Sequence, residues 1–431
     1  MTINDFSKPQ KPTNVHPTTS PRPLQGFARG NEEAPPKVRA VNVTSIAEGA
    51  SRRMFWFRAL LLVCVPLMQL ASYPLWLNRR QYPLLPLTPG FPIATPPWDA
   101  VLWAILLASL VAAWWRYRPA VAVFLVGSIY MVLADQARLQ PWFYMFWVLM
   151  LLTLAPDKSA LSTCRLFICA VYVWSGVQKL NPDFFKLVVP WFVRPAEGRV
   201  PDWMLTSMQW GIAAAPAVEV LIGIGLWFER TRRVAIGVAV LVHVFALAFL
   251  GPWGHGHNWI VWPWNLVMPA MLLVLFPPHP GSELWSGLRQ RLWAAAAVVL
   301  VSVLPAFSFF GWWDSYLSFS LYTGHLTKAD LYISAAVKEK LPPAVLQFVV
   351  PTPEPYNREL QGPFVVLVEL WSDKIARVPP LPEARNYRNI AAYLANLAQD
   401  PNDVRLVLIP RVGPTLFYRG SDLRPSAGIK L

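Results

Sequence analysis

Charged residues are scarce in this chain, and their scarcity excludes an ordinary soluble globular domain. Asp, Glu, Lys and Arg make up 14% of the 431 residues, whereas soluble domains carry about a quarter. Cysteine is rare too: Cys64, Cys164 and Cys169 all lie in or beside apolar runs. The sequence therefore excludes a disulfide framework. It also lacks the Cys/His spacing of a metal site, so no metal is predicted.

Signals for nucleic-acid binding and secretion are missing as well. The net charge is +14, but no groove-reading motif or basic helix accompanies it, so we predict no nucleic-acid partner. Basic loops that face anionic lipids explain the charge better. The start of the chain has no short apolar core followed by a small-residue cleavage site, so it is not a signal peptide.

Long apolar runs dominate what is present. Hydrophobic residues form 55% of the chain, and its 22 tryptophans fit aromatic belts at both faces of a bilayer. The predicted fold class is an all-α polytopic membrane bundle of about nine transmembrane helices with a small α+β C-terminal domain. The predicted spans are residues 55–77, 100–115, 120–133, 142–154, 166–180, 212–228, 234–250, 259–276 and 292–310.

Composition divides the chain into three regions. Residues 1–53 are rich in Pro, Thr, Asn and charge, which predicts a disordered basic tail. Residues 54–310 form the transmembrane part. Residues 311–431 carry more charge and shorter apolar runs, which predicts a small extracytoplasmic α+β domain. The elements predicted in it are strands at 362–371 and 404–410 and a helix at 387–397.

The basic residues of the loops predict the orientation. The tail and the loops on its side hold more Lys and Arg than the opposite short loops, which predicts a cytoplasmic N-terminus. We therefore predict an integral protein of a bacterial inner membrane, in contact with membrane lipids. Lys179, at the end of the fifth span, then lies at the outer face.

Lys179 is the leading candidate for a functional residue. It ends an apolar helix in the run Ser175-Gly-Val-Gln-Lys-Leu-Asn-Pro. A charged residue inside a membrane is costly and by default indicates a functional site. The alternative is a lysine that reaches from the last turn of its helix to the interface. Residues 181–208, which follow, are aromatic and amphipathic and predict an interfacial or re-entrant segment.

Other polar residues in apolar surroundings form two further candidates. Asp135 and Arg138 are three residues apart, so they either pair across a turn or line a cavity near Trp142. The run 254–257 contains two histidines, but no third metal ligand lies nearby in the sequence.

Glu219 and His243 lie inside predicted spans. Glu219 could pair with Lys179 or with Arg138, and His243 could be catalytic or satisfy one hydrogen bond.

Residues 171–184, with Gly-Val-Gln-Lys179-Leu-Asn-Pro-Asp-Phe at their core, resemble the segment of vitamin K-dependent gamma-carboxylase that holds its catalytic lysine. Three later motifs follow in the order found in the HTTM (horizontally transferred transmembrane) family, to which that carboxylase belongs. They are Phe228-Glu-Arg-Thr-Arg232, His243-x-Phe245 and Trp262-Pro-Trp264-Asn265. The resemblance covers residues 55–310.

That resemblance implies a membrane enzyme of the lyase class, with Lys179 as a base acting on a reduced, vitamin K-like quinone. Glu219 and His243 would be its polar support, and a protein or peptide substrate would meet the outer face. The residues expected to line the cavity are Asp135, Arg138, Trp142, Trp174, Gly176 and Trp264. Two alternatives stay open. One is a DoxX-like membrane quinone redox subunit, which also has Gly-x-x-Lys-Leu at a helix end. The other is a non-enzymatic transport or assembly protein.

Overall fold

The computed structural model describes residues 43–256, 258–276, 291–355 and 357–423. Residues 1–42 of the predicted tail and His257 therefore lie outside the described residues. The first helix begins at Val43, so the end of the stretch assigned to the tail is helical.

The described part contains a helical membrane region followed by a small mixed domain. The helices of the first are α1 (Val43–Ala71), α2 (Tyr73–Trp76), α3 (Trp98–Ala112), α4 (Tyr117–Ala134), α5 (Pro141–Leu152), α6 (Asp157–Gln178), α7 (Val189–Val193), α8 (Asp202–Ala213), α9 (Ala215–Trp227), α10 (Glu229–Leu250), α11 (Val261–Leu275) and α12 (Leu292–Val303). The elements of the second are β1 (Lys328–Ile333), α13 (Ala335–Glu339), α14 (Pro343–Leu346), β2 (Val349–Pro351), β3 (Phe364–Val366), α15 (Val368–Ile375), α16 (Ala384–Leu397), β4 (Val404–Ile409), β5 (Leu416–Arg419) and α17 (Gly420–Leu423).

Five helices of the described residues are long and apolar enough to cross a membrane: α1, α4, α6, α10 and α12 with its extension to Phe310. The number becomes six if α8 and α9, which meet at a bend of 48°, form one broken span. Helices α3, α5 and α11 are apolar but shorter. The helical membrane fold is thus confirmed, whereas the count of about nine spans is not.

Length explains the difference in the count. Every predicted apolar segment contains a helix. However, α5 has 12 residues and is about 18 Å long at a rise of 1.5 Å per residue. A hydrocarbon core is about 30 Å thick, so such a helix cannot cross it alone.

Two glycines let α6 and α9 cross at close range. A Cβ at Gly176 would lie 2.4 Å from the carbonyl oxygen of Pro216, and a Cβ at Gly223 would lie 2.6 Å from the carbonyl oxygen of Cys169. Both distances are far inside van der Waals contact, so a side chain at either position would push the helices apart. The crossing brings the C-terminal end of α6 beside the first turns of α9.

A five-stranded antiparallel sheet forms the centre of the C-terminal domain, in the order β2-β3-β1-β4-β5. Leu331 of β1 lies opposite Val366 of β3 and Leu406 of β4, and all three side chains are buried. Helix α16 packs on β4 and covers the sheet. The predicted strand at 404–410 corresponds to β4, and the predicted helix at 387–397 lies within α16.

The predicted strand at 362–371 is wrong over its second half. Only Phe364–Val366 is extended, and α15 takes over at Val368. Val368, Trp371 and Ser372 are the buried residues of that helix. Their i, i+3, i+4 spacing suits a helix, and a short apolar run does not by itself distinguish helix from strand.

Hydrogen bonds attach the C-terminal domain to the membrane region. Arg385 donates over 2.5 Å to the Gln136 side-chain oxygen, and Asp314 of the same domain holds its guanidinium in place. The Trp371 indole N–H donates to the carbonyl oxygen of Gln81 over 2.8 Å. Long-range bonds of this kind hold the domain over one end of the helical region.

Glu383 lies at the same attachment. Its carboxylate accepts a hydrogen bond from the Ser315 backbone N–H over 2.7 Å. Burial, with a smaller contribution from the nearby Asp314 carboxylate, raises the pKa of Glu383 to about 7. This carboxyl group therefore changes charge near neutral pH.

Candidate functional site

A cavity of about 880 Å³ lies among α6, α8, α9, α10 and α11 and reaches the start of the C-terminal domain. Its walls are mostly apolar, with Phe184, Phe192, Phe245, Met268 and Leu321 among them. Its main polar side chains are those of Tyr172, Ser175, Lys179, Glu219, His243 and Asn265. A mostly apolar cavity with a few convergent polar groups is typical of a small-molecule site.

Lys179 and Glu219 form an ion pair in this cavity. The Lys179 Nζ lies 2.8 Å from Glu219 Oε2, and the two side chains are 9% and 13% exposed. The same nitrogen donates to the Ser175 carbonyl oxygen over 3.0 Å and to its Oγ over 2.9 Å. Three acceptors thus surround Nζ, one for each N–H of an ammonium group. Of the two partners open to Glu219 on sequence grounds, the structure supplies Lys179.

His243 stands in a second polar chain on the cavity wall. Its Nδ1 lies 2.8 Å from Asn265 Oδ1, and its Nε2 lies 2.7 Å from the Tyr172 hydroxyl. Asn265 donates its own Nδ2–H to the Val261 carbonyl oxygen over 2.8 Å. Its Oδ1 is therefore the acceptor, and the His243 Nδ1 carries the hydrogen. In the neutral imidazole, Nε2 then accepts the Tyr172 O–H.

The ion pair and the histidine chain both line the same cavity. Tyr172, Ser175 and Lys179 follow at i, i+3 and i+7 on α6, so one face of that helix carries all three. The ion pair and the histidine chain thus form one polar cluster within the apolar walls.

The cavity reaches the outer surface of α10. Leu241 and Val244 both line it, yet they remain 68% and 57% exposed. Since α10 is long and apolar enough to span a membrane, its exposed apolar face is the one that lipid tails would cover. The cavity thus reaches exposed apolar residues of α10.

Asp135 and Arg138 lie outside the lining of this cavity. Asp135 pairs with Arg80 over 2.5 Å and, as one of the two interpretations expected, with Arg138 three residues on, over 3.6 Å. Arg138 donates to the Leu75 carbonyl oxygen over 3.0 Å and to Asn78 Oδ1 over 2.7 Å. Both charged side chains are fully buried and hydrogen-bonded. Their observed contacts close the turn between α4 and α5 and hold it against α2 and the segment after it.

Of the other four residues predicted to line the cavity, one lines it and three lie elsewhere. Trp264 lines the cavity. Trp174 does not, and its indole N–H donates to the Ser302 carbonyl oxygen over 2.7 Å. Trp142 is buried against Phe143. Gly176 lies at the α6–α9 crossing, one turn before Lys179, where it allows the helices to approach.

In the run 254–257, the described histidine, His255, packs against an aromatic ring. His255 stacks on the Trp191 ring, with centroids 4.1 Å apart. Across the described ranges, no group of three or more His, Cys, Asp or Glu side chains could hold a metal ion.

Sequence reasoning missed Tyr172, Ser175 and Asn265 as site residues. A helical projection of α6 would have found the first two, because they share a face with Lys179. Asn265 becomes adjacent to His243 only when α11 packs on α10. No local pattern in the sequence shows that contact.

The family model that matches this chain is that of the methylamine utilisation protein MauE, over residues 157–258. The match covers about a quarter of the chain and contains α6 to α10, which supply most of the cavity wall. No curated protein and no solved structure matches.

That match corrects the resemblance to the HTTM family and to vitamin K-dependent gamma-carboxylase. The run Gly176 to Phe184, on which the resemblance depended, lies inside the residues that match MauE. In the structure Gly176 serves a close helix crossing, and Lys179 serves an ion pair. Small residues at close crossings and paired polar side chains occur in many membrane helix pairs, so a short motif of this kind does not identify one family. Carboxylation and a catalytic lysine base, which followed from that resemblance, lose their support. By similarity, residues 157–258 are MauE-like.

Proposed function

We propose that this protein binds a lipid-soluble quinone in its intramembrane cavity. The observation that carries the proposal is the cavity itself, about 880 Å³ of mostly apolar space with one polar cluster. A quinone has the matching form, because it joins a ring with two oxygens to a long apolar tail. The ring would meet the polar cluster, and the tail would lie along the apolar walls.

Access from the bilayer supports the proposal. The exposed residues Leu241 and Val244 place the cavity opening on the apolar face of α10. A ligand dissolved in the hydrocarbon phase could enter there without crossing water. A water-soluble ligand could reach an opening on this side only through the hydrocarbon phase.

The test begins with the protein purified in detergent. Bound lipids are extracted and identified by mass spectrometry, and a short-chain ubiquinone analogue is then titrated into the protein. Saturable binding and a co-purified quinone are expected. Absence of both would refute quinone binding.

A matched pair of variants tests the opening. Leu241→Trp places a large ring where the cavity meets the surface and is expected to weaken binding. Leu221→Trp is the control, because Leu221 is similarly exposed, at 64%, and does not line the cavity. Equal loss of binding in both variants would contradict access beside α10.

We infer two chemical outcomes for such a site, and an assay of quinone turnover separates them. Turnover by the wild-type protein that disappears in Lys179→Ala would support a redox subunit of the DoxX-like kind. Binding without turnover in the wild-type protein would support a non-enzymatic transport or assembly role.

A role in methylamine utilisation is a second candidate. The MauE match favours it, because the matched residues contain four of the five helices that surround the cavity. Deletion of the gene would be expected to impair growth of the source organism on methylamine. Normal growth would leave quinone binding as the candidate.

The proposed location is a bacterial inner membrane with the N-terminus in the cytoplasm. It is supported by the excess of Lys and Arg in the tail and in the loops on its side. A reporter fused to the N-terminus and active only in the cytoplasm tests it. A signal from a reporter that works only outside the cytoplasm would reverse the orientation.

A further inference from the structure

The end of α12 marks the level at which the chain leaves the membrane. The helix and its extension, Leu292 to Phe310, form 19 residues that are apolar enough to cross a bilayer. At a rise of 1.5 Å per residue they cover about 28 Å, close to the thickness of a hydrocarbon core. Gly311 follows in the left-handed conformation, at φ 73°, and turns the chain away from the helix axis. Phe310 and Gly311 therefore lie at the membrane boundary.

Exposed aromatic side chains lie at this boundary. Phe310 and Trp312 are both exposed, and their ring centroids are 5.5 Å apart. Aromatic rings are enriched where lipid headgroups meet the hydrocarbon core. The end of α12 thus has the surface expected of a segment that faces lipid headgroups.

The hairpin formed by β4 and β5, Val404 to Arg419, reaches the same level. A Cβ at Gly311 would lie 3.7 Å from the Val412 Cβ. The Arg411 guanidinium lies 5.1 Å from the centre of the Phe309 ring and donates to Gln178 Oε1 over 2.5 Å. Gln178 is the last residue of α6, which is also long and apolar enough to span. These contacts fix the hairpin loop beside the ends of two spanning helices.

The composition of the β4–β5 hairpin suits a lipid surface. Its exposed large apolar side chains are those of Ile409, Val412, Leu416 and Phe417. Grouped apolar side chains on a surface mark a site of interaction with a protein or a membrane. The hairpin also contains three arginines and no acidic residue. Apolar side chains flanked by cations match a bilayer, where acyl chains lie beneath anionic phosphates.

We propose that the β4–β5 hairpin binds the membrane surface, with Val412, Leu416 and Phe417 inserted among the lipid headgroups beside the end of α12. The lipid surface that covers the apolar face of α12 continues to this point. The inserted hairpin would hold the C-terminal domain over the cavity, because Arg411 also donates to Ser320 over 3.1 Å, between two residues of the cavity wall. This inference does not depend on quinone binding.

The experiment measures what surrounds the hairpin in a bilayer. The full-length protein is placed in nanodiscs of phosphatidylethanolamine and phosphatidylglycerol, and Val412→Cys and Leu416→Cys are labelled in turn with a nitroxide. The three native cysteines are buried, so the unsubstituted protein gives the background labelling. Collisions of the label with oxygen, which concentrates in lipid, are compared with collisions with a water-soluble nickel complex.

Leu360→Cys is the matched control on the same domain. Leu360 and Leu416 are both 38% exposed. The neighbouring Gln361 carbonyl oxygen accepts a hydrogen bond from Arg405 over 2.6 Å, at the end of β4 that is remote from the hairpin loop. A label at this position is expected to meet water.

The ratio of oxygen collisions to nickel collisions decides the inference. It should be several-fold higher at both hairpin positions than at Leu360. A hairpin ratio equal to that of the control would overturn insertion. A hairpin label shielded from oxygen and nickel alike would also overturn it, because a protein would then cover the surface, such as a second copy paired with the edge of β5. Both labels replace exposed side chains, so the core of the domain is left intact, and either position alone gives a result.

Discussion

The Lys179–Glu219 ion pair gives the most direct test of the site geometry. Lys179→Met keeps the length of the side chain but leaves the Glu219 carboxylate without a donor. Removal of one partner from a buried ion pair costs about 3–5 kcal/mol. Both side chains are slightly exposed, at 9% and 13%, and they border an open cavity. The lower end of that range, about 3 kcal/mol, is therefore expected.

The reverse change should cost less. In Glu219→Gln the lysine keeps its two bonds to Ser175, at 2.9 and 3.0 Å, so we expect a loss of about 1–2 kcal/mol. The double variant removes both charges and should be destabilised by only about 1 kcal/mol. The expected coupling energy between the two positions is then about 3–4 kcal/mol.

Unfolding in mixed detergent micelles with increasing sodium dodecyl sulfate measures these free energies. Lys374→Met is the control. That lysine is 59% exposed and lies 3.8 Å from Asp373, and an exposed pair of this kind contributes about 0–1 kcal/mol. Additive effects of Lys179→Met and Glu219→Gln would refute the ion pair, as would a Lys179→Met variant as stable as the wild-type protein.

Three further changes test other parts of the structure. Gly176→Val should separate α6 from α9 and cost about 2 kcal/mol or more of unfolding free energy, because its Cβ would lie 2.4 Å from the Pro216 carbonyl oxygen. Gly211→Ala, where a Cβ meets nothing within 4 Å, is the control. Arg138→Met should lower unfolding free energy by about 3 kcal/mol without changing ligand affinity, and a loss of affinity in a folded variant would contradict a purely structural role. The pKa of Glu383 is about 7 in the folded protein and about 4.3 when unfolded, so the folded state binds more protons between these values. Unfolding free energy should therefore fall by about 3–4 kcal/mol as the pH rises across this window, and the same titration of Glu383→Gln should lack that fall.

Much of the fold could be predicted from local pattern. Apolar runs place a helix in every predicted span, and a short apolar run places β4, because both patterns are local to a single element. The count of spans was less secure, because a bend such as the one between α8 and α9 depends on what each half packs against. The strand predicted through Val368 failed for the same reason, since Trp371 is anchored across the chain to Gln81.

For the candidate site, too, the sequence predicted one part and the packing of the helices decided the other. The sequence by itself determined that the chain is a helical membrane protein and that Lys179, Glu219 and His243 are unusual, because charged and polar groups in apolar runs are costly wherever the helices pack. Only the tertiary structure decided their partners. Glu219 meets Lys179 because two glycines let α6 and α9 cross closely. His243 meets Asn265 because α10 packs on α11, and it also reaches the Tyr172 hydroxyl of α6. Contacts between distant residues depend on how helices pack in three dimensions, and a single sequence records the cost of a buried polar group but not its partner.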